Sequence, residues 1–288
     1  MKGLSCNSNL LSLGGLNLEL SFALLAEIGY QAIDISLEMS GPFEPMPAPH
    51  MSPRAKPSER RKVLRWSERT GVEIAALNGH TNLIHGVERA RKANFRHVKG
   101  VLELASDLRV KYVIVGGGRK EFYGRESQYW EWLVTALREL AAHGEKLGVT
   151  LGIEAGSFPG SLVHNQSRLQ KLLGYEGLSG LGVLYDPGHF HVRGDAEVNV
   201  YRALQSKIVH VHLKDARGNQ EDFEFPPLGA GDVDFAALLD AVRATDYQGY
   251  LSVEYEGCAW GYESDARKAL TQSKAFIDQL LSRQNTVK

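Results

Sequence analysis

Short apolar runs rich in β-branched residues alternate along this chain with longer stretches whose apolar positions recur every three to four residues. The first pattern predicts buried strands and the second predicts amphipathic helices. Strands are expected at 2–6, 31–36, 72–77, 111–115, 149–154, 181–186, 207–213 and 249–254. Helices are expected at 18–28, 55–70, 86–107, 127–147, 164–174, 196–205, 234–244 and 264–282. The joins AEIGYQAIDIS, SERTGVEIAAL and EKLGVTLGIE each run from helix through Gly into strand, so Gly29, Gly71 and Gly148 are expected helix C-caps. Strict alternation of strand and helix predicts an α/β fold with a parallel sheet. Eight such units predict closure as a single (β/α)8 TIM barrel, one domain spanning 1–288.

Three long connections all follow strands. Residues 39–57 hold six of the ten prolines together with Phe43, Met46 and Met51. Residues 116–126 carry Gly116–Gly117–Gly118, Arg119 and Lys120, and residues 214–233 carry PPLGAGD. Loops after strands build the working face of such a barrel. The first two are expected to cover a pocket there, with Phe43 and Met46 shielding it from water.

Four polar residues stand at the C-terminal ends of the last four buried runs: Glu154 in VTLGIE, Asp186 in LGVLYD, His212 in KIVHVHL and Glu254 in YLSVE. Alternation turns Leu151 and Ile153 toward the helices, and likewise Leu181, Val183 and Tyr185, then Val209, Val211 and Leu213, then Leu251 and Val253. Glu154, Asp186, His210, His212, Lys214 and Glu254 then face the barrel interior. A single acid at a strand end is commonly a solvated charge. Three inward acids at one rim repel one another unless a cation or protons neutralise them. Three carboxylates and an imidazole are a ligand set for a divalent metal. His189 in DPGH, and Lys214 and Arg217 after the seventh strand, are candidate substrate contacts. His80, Asn78, Glu38 and Ser36 are weaker candidates, and His210 is expected to be a hydrogen-bonded core residue.

Composition narrows the classes. A net charge of -1 and a pI near 6.8 imply no strongly basic face, which weighs against a dedicated nucleic-acid binder. Two cysteines, Cys6 and Cys258, suggest no disulfide framework and a cytoplasmic protein. No secretion leader is evident at MKGLSCNSNLL, and no apolar run is long enough to span a bilayer. Walker, dinucleotide, G-x-S-x-G, C-x-x-C and H-E-x-x-H motifs are missing. The expected partner is a small molecule, and homo-oligomerisation is left open.

Glu154 after a buried strand, DPGH at 186–189, HVHLKDARG at 210–218, LGAGDVDF at 228–235 and SVEYEG at 252–257 occur in this order. Together with the βα rhythm of the whole chain, they resemble the sugar-phosphate isomerase/epimerase superfamily of xylose-isomerase-like barrels. The resemblance implies one divalent metal (Mn, Mg, Co or Zn) held by Glu154, Asp186, His212 and Glu254. It also implies Glu154 and Glu254 as an acid/base pair, with His189 and Arg217 on substrate oxygens. The implied activity is isomerisation or epimerisation of a keto-sugar or sugar derivative through an enediolate. The alternative is a dehydratase of the inosose or keto-sugar type. The segment EAGSFP after Glu154 lacks the Asn or Arg usual in free-ketose 3-epimerases. Asp232–Val233–Asp234 lacks the histidine of the trinuclear endonuclease members, which places an AP-endonuclease-like hydrolase lower. A non-catalytic sugar-binding barrel is also placed lower, because binding alone needs no inward carboxylate pair.

Overall fold

The structure, a computed structural model, describes residues 1–38, 49–121, 123–262 and 265–283. Phe43 and Met46 of the expected pocket cover lie outside the described residues. The barrel strands are β1 (Gly3–Cys6), β2 (Ala32–Ser36), β3 (Glu73–Asn78), β4 (Tyr112–Gly116), β5 (Thr150–Glu154), β6 (Gly182–Tyr185), β7 (Ile208–Leu213) and β8 (Tyr250–Val253). All pair in parallel, β2 through to β8 in chain order and then β8 with β1. The seam between β1 and β2 closes through hydrogen bonds from Gln31 N to Leu4 O and from Ser8 N to Asp34 O, each 2.9 Å, and a parallel bridge of Asn7 with Asp34. The result is one closed (β/α)8 barrel.

Helices form where the period of the pattern predicts them. Leu18–Ile28 begins with Asn17, whose side chain accepts from Leu20 N, and ends at Gly29 with φ 94°. Gly71 ends Pro57–Thr70 at φ 73°, and Gly148 follows Glu126–Lys146 at φ 71°. A left-handed residue stops a helix and starts the return toward the sheet, and glycine adopts that conformation without a Cβ clash. Helix-facing Leu151, Ile153, Val183, Tyr185, Val211, Leu213, Leu251 and Val253 are buried in one continuous core with the helices. Ala76, Ile114 and Leu184 form a separate apolar group, which alternation places inside the barrel.

One facing differs from expectation. β7 carries an extra residue, because Ile208 pairs with Val183 while His210 pairs with the next residue, Leu184. The bulge turns Val209 into the interior, against Gly152 and Gly182. A Cβ added at Gly182 would come within 2.6 Å of a Val209 methyl. A bulge puts two neighbouring residues opposite one and re-aims the strand, so both Val209 and His210 reach the interior.

Candidate metal and proton-transfer site

The four rim residues converge. Each of Glu154, Asp186, His212 and Glu254 offers a ligand atom that lies within 4.8 Å of the other three, and all four are buried. His212 Nδ1 lies 3.0 Å from Glu254 Oε2, 3.6 Å from Glu154 Oε1 and 3.9 Å from Asp186 Oδ2.

Each carboxylate has its other oxygen anchored. Asp186 caps the helix Pro187–Val192, and its Oδ1 accepts from Gly188 N at 2.9 Å and His189 N at 3.3 Å. His80 Nε2 donates to Glu154 Oε2 at 2.7 Å. Asn7 Nδ2 donates to Glu254 Oε1 at 2.6 Å. The remaining oxygens face a common point: Lys214 Nζ meets Asp186 Oδ2 and Glu254 Oε2 at 3.0 and 2.6 Å, and Glu154 Oε1 is buried without a hydrogen bond. Buried carboxylate oxygens without a donor are costly unless a cation meets them. The donor set and its geometry therefore fit one divalent metal, with His212 approaching through Nδ1.

Charge around the cluster is balanced by buried cations. Lys214 is 1% exposed, and its Nζ lies 2.6 Å from Glu254 Oε2, 3.0 Å from Asp186 Oδ2 and 3.4 Å from Glu256 Oε2. Burial opposes ionisation of Glu154 and Glu254, but His212 and His80 around the first, and Lys214 and His212 around the second, hold both below the usual carboxylate range. Burial raises Asp186 to about 7 despite Lys214. Burial also lowers His80, but Glu154 and Glu38 outweigh it and bring the imidazole to about 9. His189 is pushed down to about 3 by burial and then by Lys214. It is a neutral ring between Lys214 Nζ, 3.0 Å from its Nε2, and Ser157 Oγ, 2.9 Å from its Nδ1. His189, Lys214 and His80 thus belong to the cluster through direct contacts.

Arg217 does not join them. It is exposed on a short antiparallel pair, Arg217–Gly218 with Phe223–Glu224, where its guanidinium binds the Glu224 carboxylate and Ala230 O. The residue that organises this region is its neighbour Asp215. The Asp215 carboxylate accepts from the backbone N–H groups of Gly229 and Gly231 at 2.8 and 2.9 Å, and of Val233 at 3.3 Å. That interaction ties KDARG to LGAGD and fixes the loop.

Two residues in contact with the cluster were not singled out from the sequence. Asp34, fully buried on β2, accepts from Ser5 Oγ at 2.8 Å and from His210 Nε2 at 2.6 Å, and lies 3.4 Å from His212 Nε2. It faces the outer nitrogen of His212, whose Nδ1 faces the carboxylates. His210 is accordingly a hydrogen-bonded interior residue. The other is Asn7. Inward alternation in AIDIS was a usable signal for Asp34, but its partners lie across the closed barrel.

A side wall of aromatic rings borders Lys214. Phe225 lies 5.0 Å below its ammonium and packs with Phe158, Phe223 and Trp260 at centroid distances of 5.2–6.1 Å. A separate cavity of about 800 Å³ between the 49–55 segment and the helix Pro57–Thr70 reaches Glu38 at its inner end.

Comparison with known proteins agrees with the barrel. The family described as the xylose isomerase-like TIM barrel matches residues 22–280, and the chain belongs to that family. It is 25% identical to the inosose dehydratase of Lacticaseibacillus casei over 142 residues, which is 44% of this chain and 47% of that protein. The chain thus spans about half the length of that relative. Against the inosose isomerase of Halalkalibacterium halodurans it is 24% identical over 222 residues, covering 75% and 78% of the two chains. A crystal structure of IOLI protein with a bound zinc atom superposes with a TM-score of 0.77 at 22% identity, covering 98% of this chain and 99% of that one.

Proposed function

We propose that this chain is a divalent-metal-dependent enzyme that moves a proton next to the carbonyl of a keto-sugar or cyclic keto-polyol, as an isomerase or epimerase. The observation that carries this reading is the convergence of Glu154, Asp186, His212 and Glu254 on one buried point, where Glu154 Oε1 has no hydrogen-bond donor. Glu154, Asp186, His212 and Glu254 would hold the metal. When bound, the ion polarises the substrate carbonyl and acidifies the adjacent C–H and hydroxyl.

The chain's own groups do the rest. Glu154 on β5 and Glu254 after β8 are separated by the strands that carry Asp186 and His212, so they approach the centre from two sides. Both are held ionised by their cationic neighbours, as a base requires. One takes the proton at the carbon next to the carbonyl, and the other returns it through an enediolate. Lys214 and His189 line the same point and would bind substrate oxygens. Phe225 and its aromatic neighbours border Lys214 on one side.

Lys214 also favours a second reading. An ammonium 2.6 Å from a candidate base can give a proton to a departing β-hydroxyl, and the same machinery then dehydrates its substrate. Relatives named for both outcomes, an inosose dehydratase and an inosose isomerase, fit this pair of readings. The deciding experiment incubates the metal-loaded protein with an inosose in deuterated water. Deuterium retained in a product of unchanged formula supports the isomerase, and loss of water supports the dehydratase. Neither exchange nor dehydration with inososes and free ketoses would refute both.

A further inference from the structure

We propose that Asn7 is a positioning residue for Glu254. Its amide pins one carboxylate oxygen as an acceptor and so presents only the other to the cluster. This rests on the reading of Glu254 as a metal ligand and proton-transfer group.

Asn7 follows β1 directly and is 1% exposed. Its backbone N–H donates to Val253 O at 2.9 Å, which locks it to the residue preceding Glu254. The two ends of a side-chain amide have nearly the same shape, and only their partners tell them apart. Here Asn9 N–H donates to Asn7 Oδ1 at 3.1 Å, at the start of the short helix Asn9–Leu13. The NH2 end is thereby turned to Glu254 Oε1, 2.6 Å away. An NH2 group only donates and does not titrate, so Oε1 must accept and cannot carry a proton in that bond.

The two glutamates are thus made unlike. The outer oxygen of Glu154 meets an imidazole, His80, which itself lies 3.7 Å from Glu38. The outer oxygen of Glu254 meets an amide of fixed polarity. Without that donor the Glu254 carboxylate is free to turn, bringing both oxygens toward His212 and Lys214. A ligand carboxylate is tuned by its outer hydrogen bond much as a ligand imidazole is.

The test is titration of the metal-stripped full chain with Co²⁺ alone. Asn7→Asp keeps the shape and the acceptor for Asn9 N–H, and replaces the donor facing Glu254 by an oxygen while adding a negative charge, so its effect is read beside that of the uncharged Asn7→Ser. Circular dichroism and the thermal midpoint check the fold. Asn7→Ser, which adds no charge, repeats the test should Asn7→Asp fail to fold. The expected result is Co²⁺ affinity weakened about 10–100-fold, with a changed visible spectrum of the bound ion. In a Glu254→Gln background the Asn7 substitution should alter affinity by no more than about twofold, because its effect runs through that carboxylate. Affinity within about twofold of wild type in a folded Asn7 variant would overturn the proposal. So would an equal loss in both backgrounds. Failure of the wild-type chain to bind Co²⁺ would instead refute the underlying metal reading, and this inference with it.

Discussion

Lys214 and His212 meet on a single oxygen of Glu254: Nζ lies 2.6 Å and Nδ1 3.0 Å from Oε2. A fully buried ammonium in that place is held by charge, since burial alone would drive a lysine neutral. Asp186 and Glu254 outweigh burial and raise it well above its ordinary value.

Replacing Lys214 by Met should therefore leave three buried carboxylates short of a counter-charge. We expect the metal-stripped protein to lose about 3–5 kcal/mol of stability. Mn²⁺ should then raise the thermal midpoint of the variant by more than it raises that of wild type. Equal shifts in the two proteins would show that Lys214 does not balance the cluster.

His80 gives a pH dependence of known sign. Its pKa of about 9 lies above the ordinary histidine value because Glu154 and Glu38 overcome burial. The folded state thus binds this proton more tightly than the unfolded chain. The resulting stability is fully present below about pH 6.5 and is lost as pH rises through about 9. In the metal-stripped protein, the stability gap between wild type and His80→Gln should shrink between pH 6.5 and 9.5 in denaturant melts. A constant gap would mean that His80 acts by packing alone.

The proton-transfer roles predict a strong effect of small changes. Glu154→Gln and Glu254→Gln preserve shape but remove the base, and each should slow deuterium exchange into the substrate about 10²–10⁴-fold. A Gln variant that exchanges at the wild-type rate would reduce that glutamate to a ligand and move the base to Lys214 or His189.

The β7 bulge makes its own prediction. Gly182→Ala places a methyl within 2.6 Å of Val209 Cγ1 and 2.7 Å of its Cγ2. Such overpacking typically costs about 1–3 kcal/mol. Adding Val209→Ala should recover part of that loss in urea melts, whereas additive effects would place Val209 elsewhere.

Strands and major helices were legible because their signals are local. β-branched runs ending in Glu154, Asp186, His212 and Glu254, and glycines such as Gly29 and Gly71, need no long-range knowledge. The four-residue convergence followed from alternation plus closure. What escaped reading depends on closure itself. Asp34 finds His210 across the barrel, and Asn7 finds Glu254 across the β1–β8 seam. The helix Pro187–Val192 carried a signal that went unread, an Asp followed by Pro at its first position. The Val209 facing failed because one inserted residue reverses alternation locally. Arg217 was placed near the substrate by order in the chain, but the short strand pair and Glu224 carry it outward.

Elemental analysis shows whether Glu154, Asp186, His212 and Glu254 act as one metal site. The chain is stripped with chelator, reloaded with Mn²⁺, Co²⁺ or Zn²⁺ in separate samples, and freed of excess ion. Wild type should hold about one ion per chain, within the four-ligand geometry common for such sites. Occupancy should be clearly lower in His212→Ala, whose lost Nδ1 water replaces poorly. Equal metal content in wild type and a folded His212→Ala would contradict that assignment.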